Sequence, residues 1–85
     1  MDKQQNIIYV SDIIQKVWDK ATIIDNSLTF RKDIFNSTIR RDDYAIQSLF
    51  GWVIILKTPL SEGGTNSISN LFPVHWKNTD LFKNI

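Results

Sequence analysis

Ile13, Ile14, Val17, Trp18 and Ala21 fall three or four positions apart, with Asp12, Gln15, Lys16, Asp19 and Lys20 between them. That spacing gathers the apolar residues on one face. It predicts an amphipathic helix over 12–22, capped by Ser11 and favoured by Asp12 in its first turn. The next clear pattern is of another kind. Trp52-Val53-Ile54-Ile55-Leu56 is short, continuous and rich in β-branched residues, which predicts a strand buried on both faces. Gly51 precedes it and Pro59 stops it. Ser61-Glu62-Gly63-Gly64-Thr65-Asn66 then has the composition of a wide hairpin loop, with glycines free to take positive φ. A second strand is expected over Leu71 to Val74, confined by Pro73 to an edge or a bulge. From His75 onward, Trp76, Thr79 and Phe82-Lys83 suit a short C-terminal helix.

The middle of the chain is less regular. The polar residues Asp25 to Ser27 lead into Leu28 to Phe35, Thr38 to Arg41 has weak strand character ended by Asp42-Asp43, and Tyr44 to Phe50 suits a helical turn. The expected class is α+β: an N-terminal helix, an irregular segment, then strand, loop, strand and helix. Residues 1–10 read as a polar N-terminal segment, fraying over Asp2 to Asn6, and 11–85 as a single domain.

Composition narrows the function classes. Eighty-five residues hold one core at most, and a chain this short buries only roughly 60 to 65 per cent of its unfolded surface. With no cysteine, neither disulfides nor thiolate zinc sites can staple it. Three tryptophans, five phenylalanines and two tyrosines supply the bulk that packing then requires. No stretch approaches the roughly 20 apolar residues of a membrane span, and no signal pattern opens the chain, so a cytoplasmic protein is expected. Ten basic and nine acidic residues leave a net charge of +1, which selects no partner by itself. The adjacent pairs Arg31-Lys32 and Arg40-Arg41 are each followed by acid, at Asp33 and at Asp42-Asp43.

The punctuation of the last third carries a resemblance. Phe50-Gly51-Trp52-Val53-Ile54-Ile55-Leu56-Lys57-Thr58-Pro59-Leu60-Ser61-Glu62-Gly63-Gly64, followed by Ser69-Asn70-Leu71-Phe72-Pro73-Val74-His75-Trp76-Lys77-Asn78, resembles short bacterial HNH endonucleases of the ββα-metal, or His-Me finger, fold. Their pattern runs approximately Y/F-G-W-E-I-D-H-I-x-P-x-S-x-G-G, then S-N-L-x-P-L-H-W-x-N-N-R-x-K. Upstream, Val17-Trp18-Asp19-Lys20-Ala21, Arg31-Lys32-Asp33 and Ile39-Arg40-Arg41-Asp42-Asp43-Tyr44 look like the same family's leading helix and basic segment. The resemblance implies an HNH-like hairpin and C-terminal helix in which Trp52, Gly63, Gly64, Asn70, Pro73 and Trp76 are scaffold. Asn70 would pin the hairpin loop.

The departures fall on the chemistry. Where the family places a metal-binding aspartate and the histidine that activates water, this chain has Ile55 and Leu56; the family's glutamate is Val53. The residue completing the metal site aligns with Thr79, and the basic positions after it with Asp80 and Phe82. A hard cation needs oxygen or nitrogen ligands, and phosphodiester cleavage needs a base for the attacking water. No catalytic residue, metal or cofactor is therefore expected, and the resemblance implies a pseudoenzyme.

His75 is the only histidine, which excludes a two-histidine metal site; its alternatives are a structural role at the start of the helix and substrate contact. Arg40 and Arg41 suit phosphate contacts or ion pairs with Asp42, Asp43 or Asp33. Lys57, Lys77 and Lys83 suit phosphate contacts or a solvated surface. Asp42, Asp43 and Asp80 could rebuild a metal site, although adjacent carboxylates in turns usually cap backbone amides. The leading expectation is a catalytically inactive HNH-like domain, bacterial or phage, that acts by binding. Its partner would be DNA, through Arg40, Arg41, Lys57, His75 and Lys77, or a protein of a nuclease-based defence system. A second expectation is an inhibitor or decoy of an HNH nuclease assembly, with Ile55-Leu56 as an apolar contact surface. A third is an endonuclease with an atypical site. Burial of Ile55 and Leu56 would instead fill the old cleft with core.

Overall fold

The computed structural model describes residues 8–84, so the polar start from Asp2 to Asn6 lies outside the described residues. It is a small α+β domain with one α-helix, α1 (Ser11–Trp18), and two antiparallel sheets. The first sheet has β1 (Thr22–Ile23), β2 (Phe30–Lys32) and β3 (Thr38–Arg40) in that order; the second pairs β4 (Trp52–Leu56) with β5 (Leu71–His75). A 3-10 helix, Trp76–Asn84, follows β5 directly. No helix among the described residues is long and apolar enough to cross a membrane.

The helix begins one residue before its expected start and ends four residues early. Val10, extended in backbone, occupies the cap position in place of Ser11, and its carbonyl accepts from the amides of Ile13 and Ile14. Beyond Trp18 the hydrogen bonds tighten to three-residue spacing, with the amides of Lys20 and Ala21 donating to the Val17 and Trp18 carbonyls. That tighter turn still delivers Ala21 to the core and frees Thr22 to pair with Lys32. Arg31 holds the helix end, its guanidinium 3.1 Å from the Asp19 carbonyl and over the Trp18 ring. A cation at this end also complements the helix dipole.

The hairpin is the centre of the molecule. Trp52 lies opposite His75, Ile54 opposite Pro73 and Leu56 opposite Leu71. Hydrogen bonds from Trp76 to Gly51 and from Lys57 to Asn70 bracket the ladder. Antiparallel pairs alternate, so the residues at 52, 54, 56, 71, 73 and 75 turn their backbone groups outward. Pro73 sits on that outward side, with no bulge, where its missing N–H costs no ladder bond. Both outer flanks of the hairpin are partly occupied. Beside β4 the Ala45 amide donates to the Trp52 carbonyl. Beside β5 the Asp33 carboxylate takes the His75 amide, and the Lys20 ammonium reaches the Leu71 carbonyl.

Side chains alternate across β4. Trp52, Ile54 and Leu56 join Val17, Trp18, Ala21, Ile39 and Leu71 in the main core, where the Trp18 and Trp52 rings lie 5.2 Å apart. On the other face Ile55 packs with Val74, Phe35, Val53 and Phe72.

One further expectation is corrected. Tyr44 to Phe50 forms irregular turns rather than a helical turn, because Ala45 takes a left-handed φ of 61° and Tyr44 bridges in parallel to Trp52. Within Leu28 to Phe35, for which the pattern assigned no element, the chain forms the three-residue β2, and Leu28 itself projects into solvent.

Candidate functional site

Asp33 organises the site. It follows β2 and is 3 % exposed. One carboxylate oxygen accepts from the amides of Phe35 and Ser37, at 3.0 and 2.8 Å. This is the geometry of an Asx turn closing the β2–β3 connection, in which Asn36 takes a φ of 69°. The other oxygen accepts from the His75 amide at 2.9 Å and from Asn78 Nδ2 at 3.0 Å. Four donors converge on one acceptor, the arrangement an ionised carboxylate satisfies. The turn of one sheet is thereby tied to the end of the other.

His75 is fixed just as completely. Its Nδ1 accepts from the Lys77 amide at 3.1 Å, which makes Nε2 the protonated nitrogen; Nε2 then donates to the Leu49 carbonyl at 2.8 Å. Both ring nitrogens are engaged with backbone. The ring stacks on Trp76 at 5.8 Å, and the Trp76 indole N–H donates to the Ser48 carbonyl at 2.7 Å. The 48–50 segment is thus hung from the start of the 3-10 helix.

Between these elements lies an open pocket of about 320 Å³ lined by Ser37, Thr38, Leu49, Phe50, His75, Lys77 and Asn78. Both amide protons of Asn78 are committed, one to Asp33 and one to Ser37 Oγ at 2.8 Å. What remains at the wall is its carbonyl oxygen, together with the hydroxyl protons of Ser37 and Thr38.

The expected binding residues divide among three places. His75 and Lys77 line the pocket, and Lys77 lies with Nζ 5.3 Å from the centre of the Trp76 ring. Arg40 is exposed two residues beyond Thr38 on the same strand, and its guanidinium is 3.8 Å from Asp43. Arg41 turns toward α1, where Nε donates to Gln15 Oε1 at 2.9 Å. Lys57 follows β4 at the hairpin end remote from His75.

At the positions where the resemblance expects departures, Ile55 is fully buried and Leu56 is 6 % exposed, on opposite faces of β4. They form no apolar contact surface. Val53 is half-buried beside Ile55, and Thr79 is half-buried in the 3-10 helix. Among the described residues no three of His, Asp and Glu stand close enough to hold a metal ion. Asp43 accepts from Ser48 Oγ at 2.7 Å.

The hairpin loop is closed by Asn70. Its Oδ1 accepts from the Thr58 amide at 2.8 Å, while Nδ2 donates to the carbonyls of Thr58 and Thr65 at 2.9 and 2.8 Å. Gly63 takes a φ of 89°. At Gly64 a Cβ would fall 1.8 Å from the Thr58 carbonyl oxygen, so no larger residue fits there without displacing the loop.

The sequence reading missed Ser37, Thr38, Leu49, Phe50 and Asn78 as pocket residues and Asp33 as its support. The Asp33-Ile34-Phe35-Asn36-Ser37 turn composition was the available signal for Asp33. No family model matches this chain, and neither a curated protein nor a solved structure matches it.

Proposed function

We propose that this chain is a degenerate HNH-like domain that binds nucleic acid and does not cut it. The observation that carries the reading is the burial of Ile55 and Leu56. In the pattern the sequence resembles, these positions bind metal and activate water; here they are hydrocarbon, packed into both cores and beyond the reach of substrate or solvent. The reading is also supported by the hairpin running from Trp52 to His75 and by the Asn70 amide bridging the loop as a pinning residue would. A helical segment, Trp76–Asn84, directly after β5 also supports the reading.

Binding is assigned to the face holding Arg40 and Lys77, since Arg41 and Lys57 point elsewhere. The decoy reading has lost its motive, because Ile55 and Leu56 offer no surface. The test is a mobility assay with mixed-sequence DNA across a salt series. Binding at low salt that falls steeply as salt rises is expected, because each neutralised phosphate releases about one counterion. No affinity at low salt would refute the binding function. Incubation with plasmid and magnesium, manganese or nickel should leave the DNA intact; cleavage that chelator abolishes would refute the loss of activity.

A further inference from the structure

The outer face of the three-stranded sheet joins the pocket into one surface. Directly paired residues of antiparallel strands share a face, so Lys32 lies beside Thr38 and Phe30 beside Arg40. The Arg40 amide donates to the Phe50 carbonyl, which brings Phe50 against Phe30, ring edge to ring face at 5.1 Å. Lys32, Arg40 and Lys77 therefore stand around a pocket whose walls include Phe50 and the largely exposed side chain of Leu49.

Charge is distributed unevenly across this surface. The cations sit at the rim. Beneath the pocket wall lies the Asp33 carboxylate, bonded to Asn78, and its negative charge opposes any anion entering from above. An uncharged flat group fits the pocket, where it meets the Phe50 side chain, a carbonyl acceptor and two hydroxyls, while anions fit the rim. A nucleotide has this division, with a neutral base and a charged phosphate. A paired base cannot leave its duplex without loss of stacking. Unpaired strands present their bases freely.

We propose that this surface binds single-stranded nucleic acid, with one unpaired base seated in the pocket against Phe50 and the flanking phosphates on Arg40, Lys32 and Lys77. The proposal rests on the nucleic-acid reading above and specifies its substrate.

Fluorescence anisotropy with a labelled mixed-sequence single strand, and with the duplex of the same length, tests it on the full chain. The single strand should bind at least about tenfold more tightly than the duplex. Lys77→Glu should weaken single-strand binding and lower the slope of log affinity against log salt by about 0.7 per lost phosphate contact. Thr38→Trp, which fills the pocket from a half-buried position on β3, should weaken it about fivefold or more, the scale of one lost base stack. Lys16→Glu, on the solvent side of α1, should change neither. Circular dichroism checks that each variant remains folded. Duplex binding as tight as single-strand binding, or equal effects of Lys16→Glu and Lys77→Glu, would overturn the single-strand assignment and leave nucleic-acid binding standing. No binding to either probe at low salt would remove both.

Discussion

Asp33 and Asn78 lie forty-five positions apart in the chain and meet side chain to side chain at 3.0 Å. Through that contact, and the His75 amide on the same oxygen, a turn in the first sheet fixes the start of the terminal 3-10 helix. Among the described residues it joins other long-range ties, such as the Lys20 ammonium on the Ile68 and Leu71 carbonyls.

Asp33→Asn should therefore be costly. The amide keeps one acceptor and turns an NH2 group toward donors that the carboxylate satisfied. Leaving one or two buried N–H groups unpaired costs about 1–3 kcal/mol each, so a loss of about 2–4 kcal/mol is expected by urea denaturation. A change below about 1 kcal/mol would show that water or a shifted turn can replace the carboxylate.

Asn70→Ala removes three hydrogen bonds at a half-exposed site. Solvent can replace part of them, so about 1–2 kcal/mol should be lost. The local effect should exceed the global one, with the Thr58 amide exchanging hydrogen faster than the amides of β4. Unchanged exchange at Thr58 would mean that the loop holds its shape without Asn70.

Placing at 55 and 56 the residues of the HNH pattern tests the proposed loss of a catalytic cleft. Ile55→Asp places a carboxylate among Val74, Phe35, Val53 and Phe72 and should cost more than about 3 kcal/mol. Leu56→His should cost less, since imidazole can stay neutral. The combined variant with Thr79→Asn should be destabilised and should not nick plasmid with magnesium. Nicking, with stability retained, would show that an open catalytic cleft still underlies these side chains.

Alkaline pH should weaken the fold. Burial raises the Tyr44 phenol above its ordinary 10.0, and burial together with the nearby Tyr44 raises that of Tyr9. A group with a raised folded pKa contributes stability that is complete below its unfolded value and is lost as pH rises through the folded one. Stability should fall from about pH 10 upward, partly offset by Lys20, whose ammonium burial lowers. Tyr44→Phe should shrink the fall, as followed by denaturation at several pH values.

The hairpin was legible because its signals do not depend on distant partners. Five apolar residues between Gly51 and the Lys57–Pro59 stretch define β4 to the residue, and Leu71 to Val74 lacked only His75. The helix was overrun because Ala21 sits at a helical spacing yet reaches the core through a tighter turn. β1 is two residues long and leaves no periodic trace. Nothing about an alanine announces the left-handed backbone of Ala45. The pocket was illegible for another reason: Ser37, Leu49 and Asn78 come from three separate segments that long-range contacts, those of Asp33 and His75 among them, bring together. Asp33 itself read as a neutraliser of Arg31-Lys32 and proved to be a buried junction.

The partly occupied flanks of the hairpin bear on how this protein would self-associate. Where the outward groups of Trp52, Leu71 and His75 are already bonded, an incoming chain finds less to template against. The first sheet is different: β3 is shielded by Phe50, but β1 ends the sheet with Ile23 facing water. Edge-to-edge growth from the native state should start at Thr22 and Ile23, where a lysine at position 23 would discourage it.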